Sequence, residues 1–168
     1  GVLTETNDNQ GLKTMRHGVG VVRARVKGKI ETRLSLNFER ERRSVDAGET
    51  SQLNALVLNY GWTHRDVDNL LDPRDGLVFH VQLGGATRLL LSDQNFVRGL
   101  LRVQKYWPLF ERDMLTVRAE AGWVAARSRE GVPSDFLFRA GGAQSVRGYA
   151  YQSLGVREGN ATVGGRYM

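Results

Sequence analysis

A glycine-rich stretch near the end of the sequence holds the residue types best suited to specific chemistry. Between Phe136 and Gly155 it reads FLFRAGGAQSVRGYAYQSLG. Arg147 keeps its proton at ordinary pH and offers five N–H donors in a planar fork, which suits it to bind carboxylates. The glycines permit backbone angles that other residues avoid, so the chain can turn back sharply. We predict an ordered functional loop whose key residues are Gly141, Gly142, Ser145, Val146, Arg147, Gly148 and Tyr149.

No other group of residues predicts an active site. Three histidines stand far apart and lack the spacing of metal ligands: His17, His64 and His80. The segment from Gly141 to Arg147 lacks the Gly-Lys-Ser/Thr ending of a phosphate-binding loop. Ser145 and Ser153 have no histidine nearby in sequence to activate them as nucleophiles. The sequence therefore predicts that the protein is not an enzyme, with no cofactor and no metal.

The composition fits one ordinary domain of 168 residues, enriched in glycine but poor in proline. The absence of cysteine suits an envelope protein without disulfides and a reduced cytosolic protein equally well. A formal net charge of +6 leaves open a soluble basic β protein that binds nucleic acid. The basic residues are interleaved with acidic ones, as in the ERERR of residues 39–43. That pattern favours a solvated mixed-charge face, so we expect no nucleic-acid partner.

Alternation of apolar and polar residues predicts β-strands along most of the chain. It is strict from residue 29 to residue 39, where Ile30, Thr32, Leu34, Leu36 and Phe38 share one face. Residues 1–13 show no such pattern and are expected to be a loop. Seven runs are predicted as strands: 14–26, 30–39, 52–65, 77–83, 94–107, 115–125 and 162–168. We therefore predict an all-β antiparallel meander.

The lengths of the connections indicate what surrounds the apolar face. No run approaches the roughly 18 apolar residues of a membrane-spanning helix, but barrel strands alternate and need none. Connections at 27–29 and 108–112 are short, those at 66–76 and 84–93 are of middle length, and the one at 128–160 is very long. Bacterial membrane barrels have short periplasmic turns and long extracellular loops. We thus predict part of a transmembrane β-barrel, with residues 44–49 and 84–93 outside the cell.

The loop motif adds a family resemblance. The pattern F-x-A-G-G-x-x-S-V-R-G-Y-x-Y-Q-S-L-G resembles the conserved inward-folded loop of the Omp85 superfamily of outer-membrane barrels, most closely its TamA (translocation and assembly module) branch. The resemblance spans about the last hundred residues, from the DPRDG turn at 72–76 to GGRY at 164–167. Val156 departs from it, because many relatives have proline after Leu-Gly.

The resemblance implies a barrel of sixteen strands preceded by periplasmic POTRA domains, with the loop between strands eleven and twelve. Residues 1–168 would then be a partial barrel, about strands six to twelve, with the inward-folded loop at 128–160. The POTRA domains and the remaining strands would be absent. By the same resemblance, Arg147 pairs with acidic groups on the inner wall, on strands beyond residue 168.

The function implied is an assembly and translocation factor of the bacterial outer membrane, which helps to insert or secrete β-barrel proteins such as autotransporters. Its implied partners are the outer-membrane lipid bilayer, unfolded outer-membrane proteins and a TamB-like inner-membrane protein. A two-partner secretion transporter and a BamA-type insertase remain as alternatives within the superfamily.

Overall fold

The computed structural model describes residues 1–9, 12–45, 50–110, 113–129, 131–143, 145–158 and 161–168. Seven strands follow one another in a single antiparallel sheet, each paired with its neighbours in sequence. This confirms the predicted all-β meander. The strands are β1 Val2–Asn9, β2 Leu12–Lys27, β3 Ile30–Val45, β4 Thr50–Val67, β5 Gly76–Ala86, β6 Phe96–Pro108 and β7 Met114–Ala126. Within the described ranges, no helix is long and apolar enough to cross a membrane.

Two predicted segments differ from the structure. Residues 1–13, expected to be a loop, contain β1, which pairs with Leu12–Val19 of β2. The expected strand at 162–168 is interrupted: β9 (Ala161–Thr162) pairs with β8 (Arg157–Glu158). Pairing with β7 occurs only near the end, where Tyr167 bridges Trp123. Seven strands thus precede the long loop rather than six.

The register gives the sheet two chemically distinct faces. We call the face with Leu34 and Leu58 the outer face, and the face with Asn59 and Arg102 the inner face. Large apolar side chains on the outer face are each 38–53% exposed, which leaves them open to an apolar medium: Leu34, Leu36, Leu58, Leu83, Val97, Leu101 and Val117.

On β2, the apolar and basic side chains lie on the faces opposite to those that hydrophobicity alone would predict. The sequence places Val22, Ala24 and Val26 on one face of β2, with Arg23 on the other. The pairing of Arg23 with Leu34 puts this arginine on the outer face, and the pairing of Val22 with Ser35 puts the valine on the inner face. The two-residue turn at 28–29, with Gly28 at φ 58°, fixes this register, so turn geometry decides the orientation of the strand.

The strands extend different distances beyond the apolar band. On β3 this band runs from Ile30 to Phe38, which is about 26 Å along the strand. At the tilt of about 35–45° of membrane-barrel strands, this length corresponds to a band roughly 20 Å tall, close to the ~25 Å typical of such barrels. Arg40 and Arg42 follow on the same face, and both are exposed. Because β2, β3 and β4 have 16, 16 and 18 residues, against about 9–11 for crossing a membrane, they project past the band.

The two ends of the sheet differ in their connections. The short-turn end carries the turns at 28–29 and 68–75, and Pro108 and Met114 face each other there. The long-loop end carries residues 87–95 and 127–165. Of the predicted external loop at 44–49, residues 46–49 lie outside the described residues, as do 111–112 of the predicted turn at 108–112.

The turn at 68–75 is ordered by one carboxylate. Asp68 Oδ1 accepts hydrogen bonds from the backbone N–H groups of Arg74 at 3.0 Å and Asp75 at 3.2 Å. These bonds, that from Asp75 first, hold the pKa of the Asp68 carboxyl below its usual value. Gly76 follows at φ 135°, where a Cβ would lie 2.2 Å from the carbonyl oxygen of Asp66. Glycine is therefore required at the start of β5.

Candidate functional site

The long loop between β7 and the last residues of the chain begins with a buried segment, which we call the loop base: residues 132–138. It packs on the inner face of the sheet, where the rings of Phe136 and Phe96 lie 5.2 Å apart. Its apolar side chains and those of the sheet form one buried cluster: Ala55, Val57, Phe96, Leu100, Val124, Val132, Phe136, Leu137 and Phe138. The apolar core of the described structure thus lies on the inner face, between the sheet and the loop.

A missing side chain on β7 makes room for the loop base. A Cβ at Gly122 would lie 2.3 Å from the tip of the Phe138 ring, so the ring occupies the space that any other residue would fill. The guanidinium carbon of Arg98 lies 4.8 Å from the centre of this ring, in the range of a cation–π contact. Phe138 also exchanges backbone hydrogen bonds with Gly165, of 2.8 and 2.9 Å.

A buried carboxylate fixes the other side of the loop base. Glu41 of β3 is 0% exposed. One of its oxygens accepts hydrogen bonds from the Ser134 hydroxyl at 2.8 Å and from the Ser134 backbone N–H at 3.0 Å. Ser134 opens a short 3-10 helix, Ser134–Phe136, so its N–H has no partner within that helix. The carboxylate therefore caps the helix from the wall of the sheet.

An ion pair lies beside this contact. Arg16 of β2 pairs with Asp135 of the loop base and, at 2.7 Å, with Glu5 of β1. Arg16 stands directly opposite Glu41 in the register. Burial lowers the pKa of the Arg139 guanidinium, and the nearby Glu41 opposes that shift. Two strands of the wall therefore bind the loop base through charge as well as through apolar packing.

The predicted motif forms a tight turn, whose described residues, 141–143 and 145–149, we call the loop tip. The N–H of Gly141 donates to Ser145 Oγ at 2.8 Å. The N–H of Gly142 donates to the carbonyl oxygens of Tyr149 at 2.9 Å and Val146 at 3.2 Å. Gly141 and Gly142 have φ angles of 116° and 90°, which explains why this turn needs glycine. The structure thus brings five of the predicted site residues into one closed turn.

Arg147 and Gly148 stand at the exposed part of the tip. Arg147 is exposed, and within the described part of the chain its side chain has no hydrogen-bond or ion-pair partner. A Cβ at Gly148 would meet no atom within 4 Å, so nothing in the described chain requires glycine there. The pairing of Arg147 with acidic groups beyond residue 168 stays a prediction.

Farther from the long-loop end than the loop base, the inner face forms an open polar chamber of about 690 Å³. Cross-strand pairs line it, including Arg65 with Glu31 at 2.8 Å and Thr63 with His80 at 2.7 Å. Other lining residues are Arg33, Ser35, Asn37, Asn59, Gln82, Arg102 and Gln104. This chamber has the polar character that the sequence predicts for the face opposite the apolar band.

The contact between Glu41 and Ser134 is absent from the sequence-based prediction. Residues 39–43, interpreted as a solvated mixed-charge face, are split by the strand: Glu41 and Arg43 are buried, whereas Arg40 and Arg42 are exposed. The alternation of acidic and basic residues does contain this signal, because neighbouring residues of a strand face opposite sides. Ser134 carries no comparable signal, since its partner is 93 residues away.

Residues 7–168 match the Omp85 superfamily domain, and the chain belongs to this superfamily. It is therefore part of an outer-membrane β-barrel. Among solved structures, it is similar to BamA from Haemophilus ducreyi lacking POTRA domains 1–3, with a TM-score of 0.81 and 17% sequence identity. The match covers 99% of this chain and 39% of that one, so the chain spans less than half of that protein. This likeness concerns the fold alone.

The space at Gly122 gives a direct test of loop docking. Gly122→Val should displace the Phe138 ring, which is only 6% exposed, and destabilise the docked loop by about 1–3 kcal/mol through overpacking. Limited proteolysis of the full-length protein should then cut the loop faster. Ala121→Val, next to it on the exposed outer face, is the control and should leave the cleavage rate unchanged. Equal rates for both variants would contradict the described packing.

Proposed function

We propose that the full-length protein that contains this chain is an assembly factor of the bacterial outer membrane, which helps to insert or secrete β-barrel proteins. Membership of the Omp85 superfamily supports this proposal. The observation that carries it is the two-part loop: a base bonded to the inner wall through Glu41 and Ser134, and a tip that presents Arg147. A fixed base limits where the tip can reach, and thus positions the guanidinium for a specific partner.

In this proposal the loop connects two parts of the barrel wall, one through its base and the other through its tip. The base binds β2 and β3 through Asp135 and Ser134. Arg147 would bind acidic side chains on strands that follow residue 168, by two parallel N–H to oxygen bonds. The loop would then couple distant parts of the wall during the handling of an unfolded outer-membrane protein, and no bond-making chemistry is involved.

The finer assignment within the superfamily is to a TamA-like protein that handles autotransporters together with a TamB-like inner-membrane partner. The motif from Phe136 to Gly155 supports it, through its similarity to that branch. A BamA-type insertase is the second candidate, favoured by the match to the BamA fold. A two-partner secretion transporter is the third. The number of POTRA domains before the barrel in the full-length protein distinguishes the three.

Ion pairs formed by two inner-face arginines count against the alternative that the protein binds nucleic acid. Arg65 pairs with Glu31 at 2.8 Å, and Arg102 pairs with Glu120 at 2.6 Å. A surface that binds phosphates needs arginines whose charge is not already neutralised. The inner face is therefore suited to a polar lumen rather than to a nucleic acid.

The proposal predicts the effect of Arg147→Ala in the full-length protein. Assembly of a reporter autotransporter should fall at least tenfold, because the acidic partners are left unpaired in an enclosed lumen. The barrel itself should remain heat-modifiable on gels, since Arg147 belongs to no strand. Arg147→Lys should rescue poorly, because lysine keeps the charge but loses the planar fork.

Arg157→Ala is the matched control for this experiment. It removes the same charge from another exposed arginine of the same loop and should leave assembly unchanged. Full activity of Arg147→Ala, with unchanged protection of the loop from protease, would refute the docked-tip mechanism.

The orientation of the barrel is tested with two matched leucines. Leu89 lies in the connection at 87–95 and is 91% exposed, and Leu71 lies in the turn at 68–75 and is 96% exposed. The chain has no cysteine, so Leu89→Cys and Leu71→Cys each introduce a single thiol into it. In intact cells a membrane-impermeant maleimide should label position 89 and spare position 71. The reverse labelling would show that the proposed polarity is wrong.

A further inference from the structure

The outer face of the sheet carries a basic groove just beyond the apolar band. Arg40 pairs in register with His17, and Arg42 with Met15. These four side chains and Gln52 surround a groove of about 290 Å³, which we call the basic groove. Arg40 and Arg42 point the same way along β3, about 7 Å apart. Their guanidinium groups can therefore reach one ligand together.

Within the described residues, neither Arg40 nor Arg42 forms an ion pair. The nearby carboxylate of Asp93 instead accepts hydrogen bonds from the backbone N–H and the side-chain amide of Asn54, the residue that pairs in register with Arg40. Arg40 donates to the amide oxygen of Gln52 at 3.2 Å, and His17 contacts the Thr4 hydroxyl at 3.3 Å. Past the band, the described outer-face residues of β2, β3 and β4 include no acid. The β1 residue Asp8 pairs in register with Lys13, which lies two residues before Met15 on β2. On the inner face, by contrast, Arg65 and Arg102 are each paired with a carboxylate.

A second hollow adjoins the basic groove on the same face. Gly85 has no side chain, and its neighbours surround a space of about 540 Å³, which we call the apolar hollow. Its apolar lining consists mainly of Leu36, Leu56, Leu58, Tyr60, Leu83, Leu90 and Val97. Leu90 comes from the connection at 87–95 and covers the end of the hollow nearest the long loops. The hollow therefore accepts an alkyl chain better than a polar group.

The groove and the hollow are close enough to share one molecule. Phe38 pairs with Leu56, and Arg40 pairs with Asn54. Arg40 and Leu56 are therefore diagonal neighbours on one face, with Cα atoms about 7–8 Å apart. A ligand with an anionic group joined to an alkyl chain would place the anion against the arginines and the chain against the leucines.

We propose that this surface binds a phosphorylated glycolipid of the outer leaflet, with a sugar phosphate in the basic groove and an acyl chain in the apolar hollow. The proposal rests on the proposed function for the placement of the long-loop end outside the cell. Arginine binds phosphate through a planar fork of donors. The groove lies just past the apolar band, at the level of lipid headgroups, where clustered cations attract anionic lipids.

The test measures lipid binding by the full-length protein in a neutral detergent, by native mass spectrometry with diphosphoryl lipid A. The variant Arg40→Gln/Arg42→Gln should bind this lipid at least tenfold more weakly. The control is Arg23→Gln/Arg25→Gln, which removes two arginines of the same spacing from the outer face nearer the short-turn end. It should bind as the unaltered protein does.

The hollow is tested separately. Leu83→Trp places a larger side chain in the apolar hollow and should weaken lipid A binding severalfold, whereas Leu101→Trp, on the outer face away from the hollow, should not. Dephosphorylated lipid A should bind at least tenfold more weakly to the unaltered protein. Phosphatidylglycerol should compete poorly.

Three results would overturn this proposal: equal binding by the Arg40/Arg42 variant and its control, equal binding of dephosphorylated lipid A, or equal competition by phosphatidylglycerol. The assay does not depend on assembly activity. Full assembly activity of Arg147→Ala with unchanged lipid A binding would count against the proposed function alone, whereas inverted cysteine labelling would remove the outer leaflet as the source of the ligand.

Discussion

The burial of the Glu41 carboxylate is the constraint on which the arrangement of the loop depends. Taking a carboxylate out of water is costly unless hydrogen bonds replace its hydration. Ser134 replaces it with a hydroxyl and a backbone N–H, and Arg16 lies next to it in register. Without the loop base, the Glu41 carboxylate would lose the hydrogen bonds of Ser134. Without the wall, the Ser134 hydroxyl and N–H would lose their acceptor. Leaving a buried polar group without its hydrogen bonds costs about 1–3 kcal/mol, and more when the group is charged.

This constraint divides the inside of the sheet into two parts with different properties. Near the long-loop end, the loop base and the wall form an apolar core around Val57, Val132 and Phe136. Farther along the strands, the wall keeps cross-strand ion pairs and a polar chamber. The outer face is largely apolar over β3 to β7, whereas β2 presents Arg23 and Arg25 there. The same alternating strands therefore border three environments: an apolar core where the loop base covers the inner face, a polar chamber where it does not, and an apolar medium on the outer face.

The sequence predicts the sheet well where the medium alone determines the pattern. From Ile30 to Phe38, lipid on one side and a polar interior on the other produce strict alternation, and the strand lies there. Prediction fails for β1, whose residues Thr4, Glu5 and Thr6 show no contrast because this strand pairs with the part of β2 that projects past the apolar band. It also fails for Val22, where the turn at Gly28 fixes the register.

In the candidate site, too, the sequence predicts features set by neighbouring residues but not contacts between residues far apart in the chain. The tip is predictable, because Gly141 and Gly142 need backbone angles that the motif itself reveals. The base is not, since the contact of Ser134 with Glu41 joins residues 93 positions apart. Nothing local distinguishes Ser134 from any other polar residue in a loop. Long-range pairs of this kind require the folded structure.

The docked base is tested most directly by hydrogen exchange of the full-length protein in detergent, followed for peptides that cover residues 131–138. We expect strong protection there, comparable with β7 and well above that of the tip at 145–149. Glu41→Ala should abolish this protection while the strands stay protected, and Arg42→Ala, one residue away on the opposite face, should not. Exchange of 131–138 as fast as that of the tip in the unaltered protein would contradict the account.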